Sequence, residues 1–204
     1  GLVLDDVGKP MHKSDGNAIW FEDAAEKFGV DVMRWLYAET APERNVLFGP
    51  KHCDEARRDI ILPWWNIYSF FANLARVDEF DPEVHKCQDH ELTTLDNWIQ
   101  LELDNVVNVA NASYREFDVG RFCAEARRFI DVLSTWYVRR SRRRFYGAGW
   151  PADKRAAYTT LYYVLVKFNR LIAPIVPFLS EAIYQNLVAL QRASEPQSVH
   201  NTRF

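Results

Sequence analysis

The chain is poor in the residues that build secreted or metal-stapled proteins. Its three cysteines, Cys53, Cys87 and Cys123, are an odd number without a CxxC pair. That argues against a disulfide framework or a thiolate zinc site and for free thiols in a reducing, cytoplasmic setting. No apolar run reaches the roughly 18–20 residues that span a bilayer. The nearest, IILPWWNIYSFFANLA, is cut by Pro63, Asn66 and Asn73, so no membrane partner is expected. The opening GLVLDDVGKP has neither the basic head nor the apolar body of a signal peptide. It lacks a starting Met and reads as the inside of something longer. Also missing are internal repeats, low-complexity tracts, a metal-ligand cluster and a nucleophile–base pair of workable spacing.

Apolar and aromatic material is plentiful. At 204 residues, 48% hydrophobic and 14% aromatic, the chain can bury a substantial core as one large or two small domains. Net charge is only −3, yet it is unevenly spread. Residues 1–138 carry 14 basic and 25 acidic side chains, a net −11, whereas residues 139–204 carry 11 and 3, a net +8. Such a split implies that one end meets a polyanion or that the two regions attract each other.

Gly1–Val7 reads as a short strand and turn. FEDAAEKFG predicts a short helix stopped by Gly29, VDVMRWLYAET a second, and NVLFGPKH an extended stretch. From about Lys51 to Arg76 a long helix is expected, kinked or broken at Pro63, with Trp64 and Trp65 anchoring it. Residues 78–91 read as a polar linker. Four amphipathic helices come next. The first carries the stripe Leu92, Leu95, Ile99, Leu103, Val106, Ala110 and Ser113. The second, capped by Asp118, carries Phe122, Ala126, Phe129, Leu133 and Tyr137. The third spans about Asp153–Ala173, with Leu161, Leu165, Phe168 and Ile172. The fourth starts near Pro177, with Leu179, Ile183, Leu187 and Leu190. Helices that each bury one stripe imply a bundle.

Two constellations bear on function. GKPMHKSDGN, residues 8–17, is a flexible loop with point charges, a hydroxyl and backbone N–H groups able to close on a phosphate chain. It is not a Walker A loop, because GxxxxGK[ST] is absent. The second is the run RRSRRRF. Arg139, Arg140, Arg142, Arg143 and Arg144 crowd six positions, so on a helix they point in most directions. Some are expected to meet carboxylates of the acidic segments and others phosphates. Trp136, Tyr137, Tyr146 and Trp150 flank the run. The first two are expected in the core, and the other two can serve either packing or base stacking.

GKPMHKSDGN resembles the KMSKS signature of class I aminoacyl-tRNA synthetases. AIWFEDAAEKFGVDVMRWLYAETAPERNVLFG is similar to the segment after that signature in the subfamily acting on Ile, Val, Leu and Met. LPWWNIYSFFANLARVD, STWYVRRSRRRFYG and LYYVLVKFNRLIAPIVPFLSEAIYQNL resemble the isoleucyl-tRNA synthetases, in collinear order over essentially the whole chain. Met11, Lys13 and Ser14 fall on the signature's M, second K and second S, and Gly16 and Asn17 on its trailing GN. The resemblance implies that Lys13 contacts ATP during adenylate formation. Pro10 stands where the first lysine belongs and His12 replaces the middle serine; Lys9, one position earlier, is the remaining source of that charge. His12, His52, His85, His90 and His200 form no HIGH-type signature, and no alternating strand–helix nucleotide fold is present.

The expected fold is therefore mainly α, a helix bundle of the class I synthetase anticodon-binding type preceded by a short strand, loop and helix stem. The expected parts are residues 1–50 as loop and stem, 51–190 as the helical domain, and 191–204 as the start of a truncated segment. The implied role is a monomeric fragment of isoleucine–tRNA ligase that docks tRNA(Ile). Lys13, Ser14, Met11 and Lys9 would serve the ATP site, and Arg139, Arg140, Arg142, Arg143, Arg144 and Trp150 the tRNA. Isoleucine, ATP and Mg²⁺ would be used only by the full-length enzyme, and the fragment alone would bind no cofactor and be inactive. The alternatives are a valyl-tRNA synthetase fragment, or a non-enzymatic helical module whose arginines bind an acidic protein or membrane.

Overall fold

Gly49 and Pro50 open the first long helical stretch, which accommodates a second proline, Pro63, without breaking. The computed structural model describes residues 1–190, 192 and 194–203. In it α3 (Pro50–Ala56) runs through a π-helical turn, Arg57–Ile61, directly into α4 (Leu62–Val77). Of the kink or break expected at Pro63, no break occurs; the helix is distorted just before it into a π turn. The Leu62 N–H reaches back to the Arg57 carbonyl, five residues away. The widened turn just before Pro63 carries the ladder past a residue that has no N–H and whose ring crowds the preceding turn.

Before that stretch lie β1 (Val3–Leu4), α1 (Phe21–Phe28), α2 (Val30–Glu39) and β2 (Val46–Leu47). The strands pair in parallel, Val3 with Val46 and Leu4 with Leu47. Gly29 separates α1 from α2 at φ +88°, a value that favours glycine. Residues 78–91 form turns and a short 3₁₀ segment, Asp89–Glu91, in line with the expected linker.

The expected amphipathic helices then appear as α5 (Thr94–Glu116), α6 (Val119–Val132), α8 (Ala152–Ile172) and α9 (Pro177–Tyr184). Asp118 caps α6, its carboxylate accepting from the Arg121 N–H at 3.2 Å. After α6 the helix continues as a π turn, Leu133–Val138, then α7 (Arg139–Ser141) and a 3₁₀ turn, Arg142–Phe145. Another π turn, Gln185–Ala189, extends α9. In the expected 191–204 segment, Gln191, Ala193 and Phe204 lie outside the described residues.

The stripes read from sequence are the ones buried. Ile99, Leu103, Val106 and Ala110 of α5, Phe122, Ala126 and Phe129 of α6, Leu133 and Tyr137 beyond it, and Leu161, Leu165 and Phe168 of α8 lose all solvent contact. Burying a large apolar side chain stabilises by about 1.5–3 kcal/mol. Two expectations fail. Leu190 is exposed: its N–H bonds to the Gln185 carbonyl five residues back, and this wide winding carries it off the buried side. Of the tryptophan pair only Trp64 anchors α4, edge-on to Phe168 at 4.9 Å; Trp65 is 43% exposed, one residue round the helix.

The stem shares its core with the bundle. Trp35, Leu36 and Phe28 join the same apolar cluster as the α5, α6 and α8 residues. Arg34 donates to the carbonyls of Ile175 and Pro174 at 2.9 and 2.8 Å. The Asp31 carboxylate accepts from the Phe178 and Leu179 N–H groups, the latter at 2.6 Å, at the start of α9. None of the helices among the described residues is long and apolar enough to cross a membrane.

Candidate functional site

The loop of residues 8–17 grows out of β1. Asp5 is its hub: one carboxylate oxygen accepts from the Val7 and Lys9 N–H groups at 3.1 and 2.8 Å. The other accepts from the Asn17 amide at 3.0 Å. These bonds, the Lys9 N–H first and the Asn17 amide next, hold the Asp5 carboxyl below its ordinary value. Asn17 also donates to the Pro10 carbonyl and accepts from the His12 N–H, at 3.0 and 2.9 Å, so one side chain ties both flanks of the loop.

Lys13–Asp15 form a single 3₁₀ turn ended by Gly16 at φ +70°. The signature residues spread along this turn. Lys9, His12, Lys13 and Ser14 face solvent, whereas Met11 is half-buried against the core. The Ser14 hydroxyl donates to the Asp15 carboxylate at 3.0 Å. The Lys13 ammonium rests 4.3 Å from the centroid of the exposed Trp20 ring.

The arginine run divides. Tyr137, Ser141 and Phe145 point inward at four-residue spacing. Arg144, beside them, is drawn into the protein. Its guanidinium grips the Asp96 carboxylate with two bonds, at 2.8 and 2.7 Å, and reaches Asp153 at 2.7 Å. Asp96 is fully buried and also accepts from the Tyr137 hydroxyl at 2.7 Å and from the Thr93 N–H and hydroxyl. Burial alone would raise this carboxyl, but Arg144, Thr93 and Tyr137 together hold it below the usual carboxylate range. Burial, and then the same carboxylate, push the Tyr137 phenol well above its ordinary value. Arg144 thus acts as a core cation.

Arg139, Arg140, Arg142 and Arg143 are exposed and pair with no carboxylate among the described residues. Arg140 stacks on Trp136, 4.4 Å from its centroid, and Arg142 lies 5.4 Å from the Phe70 centroid. Trp136, expected in the core, is 52% exposed, because it sits one residue ahead of the inward Tyr137. Tyr146 is exposed as well. Trp150 stacks on His85 with centroids 3.9 Å apart and meets Tyr158 edge-on, which places it among packed rings of the linker.

The three cysteines are free and buried, and burial pushes the Cys53 and Cys123 thiols up to about 11 and about 12, leaving them inert near neutral pH. Among the described residues no group of His, Cys, Asp or Glu is gathered to hold a metal.

Sequence reasoning missed Asp5 as the loop's hub, and it missed Asn66 and Phe70, which α4 lays beside the arginines. The only sequence signal for Asp5 was its place in the DDVG turn. Nothing in the sequence pointed to the other two.

Residues 96–204 match the model of the anticodon-binding domain of tRNA ligases. The isoleucine–tRNA ligase of Dehalococcoides mccartyi strain 195 is 40% identical over the whole chain, which covers 20% of that relative. That of Thermus thermophilus is 37% identical over 98% of the chain and 19% of its own length. The chain thus spans about a fifth of the length of these curated relatives. Among solved structures, a Mycobacterium tuberculosis methionyl-tRNA synthetase in complex with methionyl-adenylate superposes with a TM-score of 0.71 at 17% identity, over 98% of this chain and 43% of that one. The LeuRS of an Agrobacterium radiobacter K84 LeuRS–tRNA–LeuAMS complex gives 0.69 at 17%, over 92% and 21%. The fold, the collinear identity and the matched domain agree: the chain belongs to the anticodon-binding domain family of tRNA ligases.

Proposed function

We propose that this chain is the tRNA-docking part of an isoleucine–tRNA ligase, its partner tRNA(Ile) held by phosphate contacts from Arg139, Arg140, Arg142 and Arg143. One observation carries the reading: four exposed guanidinium groups share one helix end with no carboxylate among the described residues to neutralise them, while the fifth, Arg144, is taken up by Asp96. Guanidinium forks suit phosphate oxygens, and such contacts hold a nucleic acid without reading its sequence.

In the whole ligase, which would join isoleucine to tRNA with ATP, the exposed Lys13 on its hinged turn would meet the nucleotide. Lys9 supplies a nearby second charge and Met11 anchors the loop. ATP and Mg²⁺ belong in this reading to the full-length enzyme. The protein is read as a cytoplasmic monomer.

Titrating labelled isoleucine tRNA against salt tests this reading. Affinity should fall steeply as ionic strength rises, with a log–log slope of roughly 0.7–0.9 per phosphate contact. Arg142→Ala with Arg143→Ala should flatten the slope by about one to two and weaken all tRNAs alike. Affinity left unchanged with a lower melting temperature would mean that these arginines serve the fold. Equal capture of valine tRNA in competition would remove the isoleucine assignment.

A further inference from the structure

Helix α3 opens on a residue that cannot cap it. Gly49 has no side chain and Pro50 no N–H, so the backbone donors of Lys51 and His52 need an acceptor from elsewhere. Asp6 supplies it, 45 positions before Lys51. One carboxylate oxygen accepts from the Lys51 N–H at 3.2 Å. The other lies 3.5 Å from the His52 backbone nitrogen and 2.9 Å from Nδ1 of the half-buried His52 ring. A carboxylate only accepts, so that ring carries its hydrogen on Nδ1. Burial alone would raise the Asp6 carboxyl, but the His52 ring and the two N–H groups together hold it below its ordinary value.

Gly49 is part of this clamp. A Cβ there would stand 2.5 Å from the Asp6 carboxyl carbon. Its φ of 170° is extended backbone that any residue adopts, so close approach alone calls for glycine. A local Ser or Asp at position 49 would satisfy the same N–H groups and tether nothing. A cap drawn from so far away also fixes the segment that supplies it. Asp5, the hub of the loop, is one peptide bond from Asp6, and the two carboxylates part: Asp5 turns into the loop, Asp6 onto α3. The helix so gripped runs on to Val77 and is bolted to its surroundings. Arg57 donates to the Lys27 and Phe28 carbonyls at 3.1 and 2.8 Å, and Asp59 takes Arg127 of α6 at 2.8 Å.

We infer that Asp6 is a positioning residue: its clamp on α3, completed by His52 and Gly49, sets where the loop of residues 8–17 stands relative to the bundle. This rests on the reading of Lys13 as the nucleotide's contact and adds that a carboxylate outside the loop aims it. The tip of the loop stays free to move, and its root does not.

Residual dipolar couplings of the backbone amides of residues 8–17, measured in the chain against those of α5, α6 and α8, report that stance. In Asp6→Ala the loop amides should no longer fit the alignment of the bundle. The Lys9 and Asn17 signals should move as well, although both residues are held by Asp5 rather than Asp6. Gly49→Ala should act alike, since it keeps every donor and acceptor and only pushes the carboxylate aside. In the full-length ligase either substitution should raise the KM for ATP roughly 3- to 10-fold, the worth of one or two lost hydrogen bonds, and leave the KM for isoleucine unchanged. An enzyme that had only lost stability would have fewer active molecules and neither KM altered. Loop couplings that still fit the bundle in both variants would overturn the inference and leave Asp6 as a helix cap alone. A displaced loop with an unchanged KM for ATP would uphold the clamp and overturn the nucleotide reading of Lys13 instead.

Discussion

Two aspartates organise two regions of this molecule by different means. Asp96, in the bundle, is sealed from water and held by a guanidinium, a phenol, a hydroxyl and a backbone N–H. Asp5, in the loop, is half-buried and held by neutral partners alone: two backbone N–H groups and the Asn17 amide. An ion pair sealed in a dry interior is strong and locks one arrangement, whereas a carboxylate held by neutral donors beside water competes with solvent for every bond. The bundle is therefore fixed where it presents its arginines, and the loop is freer to rearrange.

The comparison is broken most severely at Asp96. Asp96→Asn leaves Arg144 nearly buried without its counter-charge, which costs about 3–5 kcal/mol. In a chain of this length the melting temperature should drop by roughly 6–20 °C. The pH profile carries the sign. A carboxyl held below its unfolded value adds stability that is complete above about pH 4 and lost as pH falls through the lower folded value. The parent protein should lose stability steeply in acid, and the Asn variant should lose less there, having no carboxylate to protonate. Calorimetry across that range checks both; a variant as stable as the parent would show that Arg144 finds adequate partners in Asp153 and water.

That ion pair also marks how far the sequence could be read. The apolar stripes were legible because burial repeats with the helical period, so Ile99, Phe122, Phe129 and Phe168 announced themselves. Asp96 lies one residue from Leu95 on an amphipathic helix, where period alone assigns a carboxylate to the surface; its partner is 48 positions away. The same non-local pairing hid which arginine turns inward. Trp136 misleads for a local reason: an aromatic beside an inward Tyr137 looks like core until the winding of the turn Leu133–Val138 sets the phase. In the loop, residue order singles out Lys13 and aligns Asn17 with the signature's GN without showing what either touches, and the hub at Asp5 depends on a chain reversal that composition does not encode.

Asn17→Ala should have a smaller and more local effect. It removes the bonds to Asp5, Pro10 and His12 together, worth roughly 1–2 kcal/mol between them in so exposed a place. Amide exchange at His12 and Lys9 should quicken by about tenfold while the bundle amides and the global melting temperature hold steady. If the bundle loosened as well, the two regions would not be energetically separate.

The smallest expected effect is at Trp20, and it tests whether the loop has a resting position at all. With the Lys13 ammonium 4.3 Å from an exposed ring, the contact contributes about 0.5–1 kcal/mol. Moving that ammonium to a phosphate requires giving the contact up. Trp20→Ala should therefore shift the Lys13 side-chain resonances, removing the ring-current displacement, without altering the melting temperature. In the full-length ligase it should lower the KM for ATP by roughly 2- to 5-fold, the same free energy now available to the nucleotide. Unmoved lysine resonances would mean that the ring does not hold the charge. A raised KM with shifted resonances would mean that Trp20 aims the lysine at its target, and the loop would then be preorganised as the bundle is.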